Sequence, residues 1–266
     1  MNIVKFPGLN LEFKFSEIAF SLFGINIYKY AVCIVFGIII ALILCKLSKE
    51  NYEIEYDFVL ENIIIAMIFG IIGARLYFVL FNFQYYSENI IKIFQIRDGG
   101  LAIYGGLMAG AIAIFINCKI QKKDVLNFFD YIIPFVSIAQ CFGRFGNFFN
   151  VEAYGYETSF LFRMGIETIN GYKEVHPVFL YEALCTFIIF CVLRIMQKRR
   201  KFKGEILLLY LLFYSSIRAV LENFRVDSLM LFNSRISQIL SILIFLTSFI
   251  IILCRKLSIK KTLKYW

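Results

Sequence analysis

Apolar residues gather into seven long stretches, at 25 to 45, 58 to 81, 99 to 118, 125 to 142, 177 to 196, 206 to 224 and 236 to 254. A helix needs about 20 mostly apolar residues to cross about 30 Å of hydrocarbon, and each stretch meets or approaches that length. The pattern predicts seven transmembrane helices joined by short polar loops. The fourth stretch is the weakest, because Asp130, Pro134 and Gln140 interrupt it. One connection is longer: residues 143 to 176 hold turn formers and charges, among them Arg163, Glu167, Asn170, Gly171 and Lys173. It is expected to form a small extracytoplasmic subdomain between the fourth and fifth helices. With no internal repeat, low-complexity tract or linker, the predicted fold is an all-α polytopic membrane protein, a single domain over residues 1–266.

Composition agrees. The chain is 60% hydrophobic and 18% aromatic with only three prolines, and its mean hydropathy is +0.74, which excludes a soluble secreted protein. Pro7, Glu12 and Glu17 break the amino-terminal region, so the first span rather than a cleaved signal peptide is expected to direct targeting. Seven cysteines are scattered without C-x-x-C spacing, and Cys33, Cys45, Cys185, Cys191 and Cys254 lie in or at the ends of apolar stretches, so they read as packing thiols.

The net charge of +9 invites a nucleic-acid reading, but its distribution argues against one. Lys119, Lys122 and Lys123 fill the third-to-fourth connection, and Arg194 with Lys198, Arg199, Arg200, Lys201 and Lys203 surrounds the fifth-to-sixth. Arg255, Lys256, Lys260, Lys261 and Lys264 form the tail. By the positive-inside rule these segments are cytoplasmic, which puts the carboxyl terminus inside and the amino terminus outside. The same residues suit anionic lipid head groups.

Polar groups within apolar stretches need a reason, since a charge at the bilayer centre costs at least about 2.5 to 3.5 kcal/mol on insertion scales. Arg75 follows Gly70 and Gly73 in the second stretch and reads either as structural, snorkelling to head groups, or as a lipid-phosphate contact. In D-G-G-L-A-I-Y-G-G-L at 98 to 107, four glycines surround Tyr104, fit for close helix packing or for close approach of an anionic ligand. The only histidine, His176, precedes Pro177 and stands near Tyr181 and Glu182, as a network residue or a proton acceptor. Tyr214, Arg218, Glu222 and Arg225 recur every three to four residues and share one helix face. That face must meet protein or water, and its second arginine leaves positive charge suited to an anionic head group. Finally, G-R-F-G-N-F-F-N-V-E-A-Y-G at 143 to 155 sets Arg144, Asn147, Asn150 and Glu152 among glycines and phenylalanines, ending at Gly155.

Those thirteen residues resemble, without a mismatch, the signature of the prolipoprotein diacylglyceryl transferases of bacterial inner membranes. Residues 98 to 107 are similar to a second motif of that family, in which a histidine or, as here, a tyrosine precedes the second glycine pair. H-P-V-F-L-Y-E at 176 to 182 and R-A-V-L-E-N-F-R at 218 to 225 also look like family segments, as do Tyr30 and Gln238 more weakly. The resemblance implies an inner-membrane enzyme that moves the diacylglyceryl group of phosphatidylglycerol onto the lipobox cysteine of a prolipoprotein signal peptide. A thioether forms and glycerol 1-phosphate leaves; no metal or organic cofactor is implied.

On that reading Arg144 and Arg218 clamp the phosphate, Asn147 and Asn150 position the glycerol head, and Glu152 and Glu222 hold the guanidiniums. Tyr30, Gly155, His176 and Arg225 join the substrate-binding set. Tyr104, with an unperturbed pKa near 10, is expected to orient phosphate rather than take the thiol proton. A lipid or anion transporter would instead show internal repeats or broken helices, and a scaffold would confine its polar residues to paired helix contacts.

Overall fold

The computed structural model describes residues 2–48, 52–96, 99–168, 171–226, 230–231 and 234–264. Asp98 and Asn170 lie outside the described residues. The chain divides into two compact units, one of Met1–Glu50 with Phe129–Trp266 and one of Asn51–Phe128.

The larger unit is not purely helical. β1 (Asn2–Phe6) and β2 (Leu11–Phe15) pair antiparallel, with Asn2 opposite Phe15. β3 (Ile18–Leu22) and β4 (Ile25–Tyr28) form a separate hairpin. β5 (Met164–Thr168) and β6 (Gly171–Val175) form another, and β5 lies against β1 with Val4 opposite Ile166. The resulting four-stranded sheet runs β2-β1-β5-β6. The fold is mostly helical, as expected, but not all-α: two strands of the sheet come from the 143 to 176 stretch, whose first eight residues belong to α5, and two from the first fifteen residues. Val4, Phe6, Phe15, Met164, Ile166 and Val175 turn inward on alternate positions and pack with Ala153, Phe148, Phe149 and Phe179.

The helices of this unit are α1 (Lys29–Leu47), α5 (Val125–Asn150, which begins in the smaller unit), α6 (Val178–Gln197), α7 (Glu205–Leu221) and α8 (Ile236–Lys264). α5 is the central one: 56% of its apolar window is buried inside the protein, against 39% for α6, 17% for α8 and 11% for α1. It runs eight residues past the predicted span and so carries the signature through Asn150. Ile133, Ile189, Leu193, Ile206, Leu209 and Ile252 close a core among α5, α6, α7 and α8.

The interruptions in α5 are what make it central. Pro134 lacks the N–H that would bond the Asp130 carbonyl one turn back, and the Gln197 side-chain amide donates to that oxygen at 2.8 Å and to the Tyr131 carbonyl at 3.0 Å. The fully buried Asp130 carboxylate accepts from Gly204 N at 2.7 Å, Leu207 N at 3.0 Å and Arg200 Nη1 at 3.1 Å. An aspartate on α5 therefore caps the first turn of α7, where helix N–H groups lack partners.

The smaller unit holds α2 (Tyr56–Phe81), the short α3 (Phe83–Ser87) and α4 (Ile103–Ile120). α2 and α4 cross on glycine: a Cβ added to Gly73 would lie 2.7 Å from the Gly105 carbonyl oxygen, and one on Gly106 would lie 3.1 Å from that of Gly70. The glycine pair beside Tyr104 thus serves helix packing. Arg75 does not snorkel; its guanidinium donates to the carbonyls of Lys92, Ile93, Gln95, Gly99 and Gly100, tying residues 92–95 and 99–100 to α2.

Among the described residues, six helices are long and apolar enough to cross a membrane: α1, α2, α4, α5, α6 and α8. The sixth predicted span is realised as α7, whose 17 residues include Glu205 and Arg218. At 1.5 Å per residue α7 is about 26 Å long, short for a full crossing, so a count of seven spans is not established by length and composition.

Candidate active site

α5 ends in a strained turn that aims the signature. Val151 N–H bonds to the Phe148 carbonyl at 3.2 Å and Glu152 N–H to that of Asn147 at 3.0 Å, the paired bonds of a Schellman cap. The residue in the left-handed position is Val151, at φ 51°, and Ala153 follows at φ 56°. A β-branched residue there is costly. The turn folds Glu152 back so that its Oε1 accepts from Asn147 Nδ2 at 2.8 Å and Asn150 Nδ2 at 3.3 Å. Glu152 therefore organises the two asparagines rather than a guanidinium.

Arg144, one turn earlier, reaches α6 and α7. Its Nη2 lies 2.7 Å from Glu182 Oε1 and 3.5 Å from the Tyr214 hydroxyl, and its Nη1 lies 3.4 Å from Asn147 Oδ1. Glu182 is the element that sequence reasoning left out of the site. Its side chain is 1% exposed, and it takes Arg144 and the Tyr214 hydroxyl (2.8 Å) on Oε1 and Arg218 Nη1 (3.2 Å) on Oε2. Arg218 Nη2 reaches Glu222 at 2.7 Å, one helical turn on. One buried carboxylate therefore holds two guanidiniums side by side, and a second carboxylate locks one of them.

Both arginines keep unused donors. Arginine has five N–H groups, and among the described residues the Nε of Arg144 and the Nε of Arg218 make no hydrogen bond to protein. The side chains are 21% and 13% exposed.

The remaining sequence candidates in this unit frame the cluster. Tyr30, the second residue of α1, lies against Gly146, where an added Cβ would come within 2.6 Å of its ring, and it is in electrostatic reach of Arg144 and Glu152. Gly155 is a junction: its N–H donates to the His176 carbonyl at 2.8 Å, it bridges Arg225, and a Cβ there would lie 2.6 Å from the Phe224 carbonyl oxygen. His176 Nδ1 lies 3.2 Å from the Tyr181 hydroxyl, and burial holds the imidazole pKa below its ordinary value, which suits a network residue. Gln238 joins Ala219 and Asn223, both at 3.1 Å, and so fastens α8 to the end of α7. Tyr104 stands in the smaller unit at the second residue of α4, half-buried. All seven cysteines are free thiols.

A family model described as prolipoprotein diacylglyceryl transferase matches residues 17–254. A Finegoldia magna protein named phosphatidylglycerol–prolipoprotein diacylglyceryl transferase is 38% identical over 247 residues, covering 92% of this chain and 98% of the relative. Proteins of the same name from Clostridium novyi and Streptococcus suis are 37% and 38% identical, over 94% and 96% of this chain and 99% and 96% of theirs. The paired arginines, the capped signature turn and these matches along nearly the whole chain converge: it belongs to the prolipoprotein diacylglyceryl transferase family.

Proposed function

We propose that this protein transfers the diacylglyceryl group of phosphatidylglycerol to the cysteine thiol of a lipobox-bearing prolipoprotein signal peptide, in the first step of lipoprotein maturation. The observation that carries the reading is the Arg144–Glu182–Arg218 assembly. Two guanidiniums fixed by one buried carboxylate, each with an Nε donor left over, form a site for a single anionic oxygen group.

The thiolate sulfur attacks the glycerol carbon that carries the phosphate ester. The carbon–sulfur bond forms as the carbon–oxygen bond breaks, and the electron pair goes to the phosphate of departing glycerol 1-phosphate. Arg144 and Arg218 bind that phosphate more strongly as charge grows on it, which lowers the barrier. Nearby guanidinium charge also favours thiolate over thiol, whose free pKa is near 8.5. Asn147 and Asn150, fastened by Glu152, position the glycerol head.

The arginine clamp stands at the end of α5 and α7 opposite the Arg200 end. With the basic connections on the cytoplasmic side, the clamp faces the outer leaflet of the inner membrane and the sheet lies outside. There it meets phosphatidylglycerol and precursors that emerge across the membrane, with the amino terminus outside and the carboxyl terminus inside. Purified protein incubated with phosphatidylglycerol and a lipobox peptide should yield a peptide heavier by one diacylglyceryl group. A serine-for-cysteine peptide should stay unmodified, and an unmodified cysteine peptide would overturn the assignment.

A further inference from the structure

Gln140 stands on α5 four residues before Arg144, so it lies on the same face one turn, about 6 Å, nearer the middle of the helix. Its Oε1 accepts from the Tyr210 hydroxyl at 2.9 Å. Tyr210 is held in turn: its ring stacks on Tyr214, with centroids 5.7 Å apart and planes 1° from parallel, and Tyr214 donates to Glu182 at 2.8 Å. The rungs Gln140–Tyr210 and Arg144–Tyr214 thus form a ladder from the phosphate clamp into the apolar part of the bundle.

Fastening Oε1 leaves the amide nitrogen, with two N–H donors, pointing away from Tyr210. Among the described residues that nitrogen makes no hydrogen bond, and Gln140 is only partly buried. A donor among hydrocarbon is costly unless it meets an acceptor. In a glycerophospholipid whose phosphate sits on Arg144, the acceptors lying one glycerol unit closer to the chains are the ester carbonyls. A ligand that supplies phosphate to one turn of α5 and a carbonyl to the next satisfies both.

We propose that Gln140, oriented by Tyr210, donates a hydrogen bond to an ester carbonyl of the donor lipid and makes this protein select diester over diether phospholipids. The proposal rests on the transferase reading above. The ester linkages take no part in bond breaking, so the contact acts through binding and positioning alone.

The test uses purified full-length protein, a lipobox cysteine peptide and two phosphatidylglycerols of matched chain length, one diester and one diether. Wild-type protein is expected to favour the diester by about fivefold, the worth of one neutral hydrogen bond. Gln140→Leu, which keeps bulk and removes the donors, should lower the diester rate and bring the ratio near one. Tyr210→Phe keeps the ring but releases the amide, and should move the ratio the same way by a smaller factor; it also decides the matter if the leucine variant does not fold. Equal wild-type rates on the two lipids, or a preference that persists in both variants, overturn the proposal. Transfer from neither lipid by wild-type protein instead overturns the transferase reading, and this proposal falls with it.

Discussion

Arg144 and Glu182 meet at 2.7 Å, a contact between the signature helix α5 and the first turns of α6, and the carboxylate is all but sealed from solvent. Because Glu182 also holds Arg218, the contact sets the distance between the two guanidiniums as well as the place of one. On the proposed function the pair acts as a preorganised anion clamp.

Replacing the planar fork by a point charge should disable it. Arg144→Lys keeps the charge and a link to Glu182 but loses the multiple-donor geometry, so transfer should fall about 100-fold or more while protein level and membrane insertion persist. Initial rates at saturating lipid measure this, and near-normal transfer by the lysine variant would remove the clamp argument.

Glu222 contacts Arg218 at 2.7 Å, and we propose that it supports that guanidinium rather than acting as a base. Glu222→Gln retains an acceptor for Arg218 Nη2 and should keep part of the activity, whereas Arg218→Gln removes a guanidinium and should abolish transfer. Equal inactivity of the two glutamine variants, in protein of matched thermal stability, would refute this order.

From the resemblance of residues 98 to 107 to a family motif, we propose that Tyr104 orients phosphate by hydrogen bonding. Tyr104→His should be tolerated, since an imidazole also donates, and Tyr104→Phe should be impaired because the donor is gone. In the residual activity of Tyr104→Phe the basic limb of the pH profile should be unchanged, whereas loss of a general base would take that limb away. Full activity of the phenylalanine variant would return this tyrosine to helix packing.

Asp130 tests the architecture apart from the chemistry. Asp130→Ala removes one acceptor of Arg200 and the acceptor of the Gly204 and Leu207 amides at the start of α7, and should destabilise the protein by about 1–3 kcal/mol for each amide left unpaired. Thermal unfolding in detergent reads this out, and an unchanged midpoint would contradict the capping role.

The apolar helices were legible because their signal is local and long, and α5 was the exception that explains itself. Asp130, Pro134 and Gln140 looked like interruptions of a span because each has a partner more than fifty residues away: Gly204 for Asp130, Gln197 for the carbonyl that Pro134 frees, Tyr210 for Gln140. The sheet was missed for the same reason, since Val4 pairs with Ile166. A signal for it exists in the alternation of L-E-F-K-F at 11 to 15, just after the turn-forming Pro7 and Gly8.

Within the site, Arg144, Asn147, Asn150 and Glu152 were readable as polar groups set among glycines and phenylalanines, and Arg218 and Glu222 as charges sharing one helix face. Glu182 was less so, because a glutamate beside a tyrosine near a helix start shows its importance only once α5 and α7 are brought against it. Arg75 shows the limit of such reading: the same residue type in a similar apolar setting is occupied by backbone carbonyls.

The most direct test of the account follows both halves of the donor lipid at once. Phosphatidylglycerol labelled with one isotope in its diacylglyceryl group and another in its phosphoglycerol head is incubated with purified protein and a lipobox cysteine peptide. The first label should appear on the peptide, joined to the cysteine sulfur through a thioether, in equal molar amount with the second label as free glycerol 1-phosphate. A peptide that stays unlabelled, or one that carries the phosphate label, would contradict it.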